Sequence, residues 1–212
     1  MSDFGTMQAR IARELRKKNL TTEIKDAIQS AIKHYEGARF WFNELRHTAT
    51  TQAGREYYPL PSGFAETDSM VITVNNWNDH LIKKPQQWID RENTTSSYQG
   101  IPKYFSNFAQ QFRLFPIPDD AYTLTLSNAN RLAALVNDTD ANAWMTDAEE
   151  LIRARARADV RVTVLQNPLA HQEMLAFTHE GFYCAQEKAA YSALVSETEQ
   201  RVSSRKITPL RF

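Results

Sequence analysis

Five histidines, one cysteine, two carboxylate pairs and a row of arginines are the residues of this chain whose types could do chemistry. A helical zinc site sets two histidines four residues apart on one face. His34, His47, His80, His171 and His179 are scattered, and the nearest pair, His171 and His179, is separated by eight positions. That spacing describes solvated or capping histidines, not metal ligands. Cys184 stands alone, so the chain forms neither an internal disulfide nor a multi-cysteine zinc site. It falls inside a helical run and reads as a packed thiol. A glycosidase-like hydrolase needs two carboxylates facing each other across a bond. Glu149-Glu150 sits where a helix begins, where acid complements the helix dipole. Asp119-Asp120 is turn chemistry. Six glycines never cluster into a phosphate-cradling loop, and Ser62-Gly63 lacks the upstream glycine of a nucleophile elbow. No catalytic residue, cofactor or metal is expected.

The arginines are more informative. Arg153, Arg157 and Arg161 recur every four residues, roughly opposite an apolar stripe of Leu151, Ala154, Ala158, Val162 and Leu165, and Arg155 adds to the same helix. Such a row is either an ordinary solvated face or an interface, because a guanidinium pairs carboxylates in a planar, bidentate manner.

The elements that must position these residues fall into zones of different texture. Residues 1–46 read as helices: Phe4, Met7, Ile11 and Leu15 lie on one stripe, then Ile24, Ile28, Ile32, Tyr35 and Phe42 on another, with Thr21 or Thr22 as the intervening cap. Phe40, Trp41 and Phe42 follow, and at 100° per residue three consecutive aromatics do not share one core, so at least one is expected to meet another layer or subunit. Residues 47–133 lose the helical period. Met70–Val74, Phe112–Phe115 and Tyr122–Leu126 are β-branched or aromatic runs bounded by turn residues such as Asn75-Asn76, hence strands. Within that zone residues 85–102 predict a short helix and a loop. Residues 134–204 return to helix, with Thr146-Asp147-Ala148-Glu149 as a capping box, Asn167-Pro168 as a stop and restart, and one long last helix from about Leu169 to Ser203. Residues 205–212 (Arg205, Lys206, Ile207, Thr208, Pro209, Leu210, Arg211, Phe212) form an extended tail, since Pro209 forbids helix there. The expected fold class is α+β: an antiparallel helical bundle built from both chain ends, an inserted antiparallel β subdomain and an extended C-terminal tail.

Composition sets outer limits. The 212 residues are 42% hydrophobic and 24% charged, and 25 basic residues balance 25 acidic ones. Zero net charge argues against a general DNA-coating protein, and it favours self-association. No run approaches 18 apolar residues, so no membrane helix is expected, and the opening segment lacks the apolar core of a signal peptide. A soluble protein made in the cytosol is expected.

Four segments carry a resemblance: AIKHYEGARFWFNE closing the second helix, TTQAGREYYPLP after it, QQFRLFPIPDDAYTLTL read as a hairpin, and NAWMTDAEELIRARAR leading into the last helices. Together they resemble the head-to-tail adaptor (connector) proteins of short-tailed bacteriophages. The resemblance implies a non-enzymatic virion protein at the neck between capsid and tail, made in the host cytoplasm. It implies a ring, typically of twelve copies, that docks on the portal protein through the tail of residues 205–212. Such a ring extends the channel for genomic DNA without sequence-specific binding, and it presents a platform to downstream nozzle or fibre proteins. Phe40, Trp41, Phe42, Arg153, Arg157 and Arg161 become candidates for contacts between subunits. A peptidoglycan hydrolase of the virion, or another tail ring such as a terminator or nozzle component, are the alternatives in view.

Overall fold

A computed structural model describes residues 2–93 and 98–201. The expected tail of residues 205–212 lies outside the described residues. The chain divides into two compact units, residues 1–43 with 132–212, and residues 44–131.

In the helical unit, α1 (Phe4–Leu15) starts where the Asp3 carboxylate accepts the Thr6 backbone N–H at 2.7 Å, and it ends on Arg16 in a left-handed conformation. The helix α2 (Thr21–Tyr35) follows, with Leu20 as its cap residue and no side-chain cap. The two threonines are the first residues of the helix, so neither caps it. A short α4 (Ala143–Thr146) is capped by Asn142, whose side chain accepts the Trp144 N–H at 3.0 Å. The expected capping box therefore does not form. Thr146 donates to the neighbouring Asp147 carboxylate instead, and α5 (Glu149–Thr163) begins after Ala148 without a side-chain cap.

Asn167 caps α6 (Pro168–Phe177) by accepting the N–H groups of Leu169 and Ala170, with proline in the first turn as expected. The long last helix is broken. A 3-10 turn at Thr178–Glu180 and Gly181 in the left-handed region separate α6 from α7 (Ala185–Arg201). Gly181 is the physical reason, since its φ of 85° is open to glycine at no steric cost.

The core of this unit packs around α5, which contacts α1, α2, α4, α6 and α7. Phe4, Met7 and Ile11 of α1, Ile24, Ile28 and Tyr35 of α2, and Leu151, Ile152 and Val160 of α5 are all buried in one cluster with Trp144 and Phe40. Fully burying each large apolar side chain contributes about 1.5–3 kcal/mol. Because α5 is buried on several sides, alanine is its commonest core residue and brings neighbouring helices close.

The second unit holds two four-stranded sheets. The first has the order β1 (Glu44–Thr50), β8 (Thr123–Asn130), β3 (Phe64–Val74), β4 (Trp77–His80), and every neighbouring pair is antiparallel. The second has the order β2 (Tyr57–Pro59), β7 (Gln111–Phe115), β6 (Tyr104–Phe108), β5 (Ile82–Lys83), with β5 and β6 parallel. A short α3 (Gln86–Glu92) lies between β5 and β6 in sequence, as expected. Two readings are corrected. Glu44–Arg46 are strand rather than helix, and β7 and β8 are not a hairpin: they enter different sheets, so Phe112–Phe115 pairs with β2 and β6 and not with Tyr122–Leu126. Met70, Ile72, Phe105, Phe112, Leu114, Leu124 and Leu126 form the core of this unit.

Candidate functional site

The arginine row of α5 is the centre of the polar chemistry in the helical unit. Arg153 forms an ion pair with Glu14 of α1, and Arg157 reaches the other oxygen of the same carboxylate at 3.1 Å. Arg157 also donates to the Gln186 side-chain oxygen at 2.5 Å, so the row ties α1, α5 and α7 together. All four groups are only part-exposed or less, and Glu14 divides its two oxygens between two guanidinium groups. Arg161, one turn further on, has no ion-pair partner among the described residues.

Arg155 behaves differently from its neighbours. Sequence spacing sets it beside a solvated row, yet it is 8% exposed and inserted in the core. Its Nη1 donates to Glu187 Oε1 at 2.6 Å, and its guanidinium lies over the rings of Tyr183 and Tyr35 at 4.1 and 5.6 Å. Glu187 has no exposed surface at all. It also accepts the Tyr35 hydroxyl at 2.6 Å and the Tyr183 backbone N–H at 2.5 Å, so both oxygens are satisfied. Burial, with the Glu187 charge beside it, pushes the Tyr35 hydroxyl far above the usual tyrosine range. The network joins α2, α5 and the start of α7 through one carboxylate. Sequence reasoning missed it because Arg155 and Glu187 are 32 positions apart, and a single arginine out of phase with i, i+4 spacing is the only signal it leaves.

The three consecutive aromatics separate in space. Phe40 is fully buried, stacked at 5.3 Å on Phe42 and edge-on to Trp144 at 5.9 Å. Phe42 is partly buried against the same core. Trp41 lies on the other side, 3.9 Å under the Arg201 guanidinium, with its indole N–H buried and lacking an acceptor among the described residues. Phe40 thus offers no surface, while Trp41 and Phe42 are each half-buried.

The remaining candidates have structural duties. Glu149 is paired with Arg10, Glu150 accepts from Gln186 at 3.4 Å, and Asp119 accepts the Tyr122 hydroxyl at 2.7 Å, a bond that raises the Tyr122 pKa to about 12. Asp120 accepts the backbone N–H of Ala121. Cys184 is buried, and that burial pushes its thiol up, away from the reactive thiolate. His171 and His179 are exposed, and no group of three or more potential metal ligands gathers among the described residues.

Exposed apolar surface was not foreseen. The helix α6 buries only Ala170, while Leu169 and Leu175 are 72% and 60% exposed. In the other unit Trp77 is 78% exposed beside the Asn75-Asn76 turn. Adjacent to Arg16, Lys17 and Lys18, which are exposed, Leu20, Val164 and Leu165 line a cleft at the α1–α2 connection. These are features of surfaces that meet other surfaces rather than of an enclosed reaction site. No helix among the described residues is long and apolar enough to cross a membrane.

Comparison with known proteins gives the same direction. No curated protein matches the chain. Among protein families, the one described as SU10 adaptor protein matches residues 2–206. That match takes in both units, and the resemblance to phage head-to-tail adaptors carried by four separate segments agrees with it; the chain belongs to the SU10 adaptor protein family.

Proposed function

We propose that the protein is a structural adaptor of the phage neck, which assembles as a ring on the portal protein, continues the DNA channel and offers a platform to the next tail component. The family match over residues 2–206 is the observation that carries this reading. The physical character of the molecule supports it: balanced charge, an interior given over to packing and ion pairs, and outward-facing apolar residues on α6 and β4. Assembly, not chemistry, is what such a surface does.

In this reading the helical unit forms the body of the bundle, with Arg153 and Arg157 locking α5 to α1 and α7 inside each subunit. Arg161, Trp41 and the exposed face of α6 then remain for neighbours, while Phe40 and Phe42 brace Trp41 from within. Twelve subunits close a heterologous ring, each presenting two unlike faces. The tail, residues 205–212, attaches the ring to the portal through Ile207, Leu210 and Phe212. Twelve weak contacts engaged together make a firm attachment.

Deleting residues 205–212 tests the docking. The truncated protein is expected to stay folded, with the circular dichroism spectrum of the full chain, and to lose co-sedimentation with purified portal. Undiminished co-sedimentation would contradict the assignment of the tail.

A further inference from the structure

The first sheet of the β unit ends in two open edges, β1 and β4, and neither has a second strand neighbour among the described residues. An unpaired edge is a row of N–H and C=O groups ready to bond another strand, and proteins that must stay monomeric blunt it with proline, bulges or short strands. The β1 edge carries none of these, though it bears the charges of Glu44 and Arg46, and β4 is four residues long. The β1 strand runs seven residues, ELRHTAT, and pairs with β8 residue for residue from Glu44 to Thr50 without a register shift.

Strand direction restricts what can pair with it. The order β1-β8-β3-β4 is antiparallel at every step, so with four strands the two edges run in opposite directions. A copy added by rotation, with its β1 beside β4 of the first, therefore meets it antiparallel. Two copies of the same edge would instead need a two-fold axis. The sheet's own topology suits head-to-tail addition of a second copy of this chain.

The side chains agree. Leu45, His47 and Ala49 stand opposite Asn128, Leu126 and Leu124, and Trp77 and Asp79 stand opposite Val74 and Ile72. Since directly opposed residues share a face, all five lie on the face that carries Leu124, Leu126, Met70 and Ile72. Leu45 is 45% and Trp77 78% exposed, an apolar residue on each edge of the same face. On this shared face β1 carries His47 and β4 carries Asp79, while Glu44 and Arg46 of β1 and His80 of β4 lie on the other face.

We propose that β4 of one subunit pairs with β1 of the next, so that the four-stranded sheets join into a continuous antiparallel belt around the ring. The inference rests on the ring reading above and adds the surface that makes the contact. In it, Trp77 covers the apolar edge residues of the adjoining β1, and Asp79 meets His47 on the same face. Aromatic anchors of this kind dominate association, so Trp77→Ala weakens subunit association at least about tenfold. Its exposure leaves the fold of the β unit intact.

Cross-linking tests the pairing directly. Thr48→Cys on β1 and Asn78→Cys on β4 place thiols on the opposite, outer face, where cross-strand and diagonal neighbours lie about 5–8 Å apart. The two full-length variants are mixed, assembled on purified portal and treated with a short bismaleimide. Wild-type protein, whose Cys184 is buried, serves as the control. Cross-linked species are expected only when both variants are present in the assembly. A ring seen by light scattering and electron microscopy but with no cross-link in the mixture overturns the strand pairing and leaves the ring reading standing. Cross-linking of either variant alone means two like edges meet, which overturns head-to-tail addition. Failure of the wild-type chain to form any ring on the portal overturns both readings together.

Discussion

Among the described residues each unit of this protein holds one buried arginine, and the two are satisfied in different ways. In the helical unit Arg155 faces Glu187, a carboxylate with no exposed surface whose other bonds go to Tyr35 and a backbone N–H. In the β unit Arg113 of β7 is 6% exposed and bonds Glu56 at 2.5 Å, while its second carboxylate, Asp90 of α3, has a side chain 55% exposed. One network is closed and the other opens onto water. A closed network has no substitute when one member is removed, because the survivor is a buried, uncompensated charge. An open one lets water replace the missing partner. The helical unit is thus pinned at a single carboxylate, and the β unit is held by a more forgiving clamp.

The largest effect is expected at Glu187. Glu187→Ala strands Arg155 in the core and is expected to cost about 3–5 kcal/mol. Hydrogen exchange should show lost protection in α5 and α7, with β8 amides unchanged. Equal loss in β8 would break the contrast. Arg113→Ala comes next, at about 1–3 kcal/mol, because Glu56 and Asp90 keep access to solvent once the guanidinium is gone. The loss should appear in β2, β7 and α3. A cost there matching that at Glu187 would mean the two networks are not different in kind.

A pH scan sharpens the comparison further. Burial, then the nearby Arg155 charge, depresses the His34 pKa below its ordinary 6.5. The unfolded chain therefore binds this proton more readily than the folded one, and the stability it represents is complete above pH 6.5 and lost as pH falls through the lower folded value. Chemical denaturation followed by α5 exchange should show the helical unit weakening over that window, and His34→Gln should flatten the profile. Smallest is a gain: Ala109→Gly is expected to stabilise the β unit by a few tenths to about 1 kcal/mol, since Ala109 sits at φ 49° in the β6–β7 turn. A thermal melt reads it.

Those turns also show what the sequence makes legible. Asn75-Asn76 announces its turn because asparagine accepts the left-handed region, and both residues adopt it, at φ 49° and 65°. Ala109-Gln110 makes a turn with both residues also at positive φ and announces nothing, so the β6–β7 pairing went unseen. Helix periodicity placed α1, α2 and the start of α6 well, because amphipathic stripes and Asn167-Pro168 are local signals. The gap between α6 and α7 was hidden by small residues that continue a helical composition on both sides of Gly181. Polar partners were the least legible. Glu14, Gln186 and Glu187 satisfy the α5 arginines from other helices, and no spacing rule connects residues that meet only after folding. At the candidate surfaces, arginine periodicity found Arg153, Arg157 and Arg161, but only the partners on other helices distinguish the two that brace the subunit from the third. The exposed α6 leucines carry no distinguishing signal in sequence, and only packing reveals that nothing within the described residues covers them.

The proposed function requires that this chain close into a ring on a portal. Cryo-electron microscopy of the full-length protein mixed with purified portal measures it most directly. A closed ring of copies beneath the portal, joined face to unlike face, is the result expected. A chain that remains monomeric and leaves the portal bare would contradict the account.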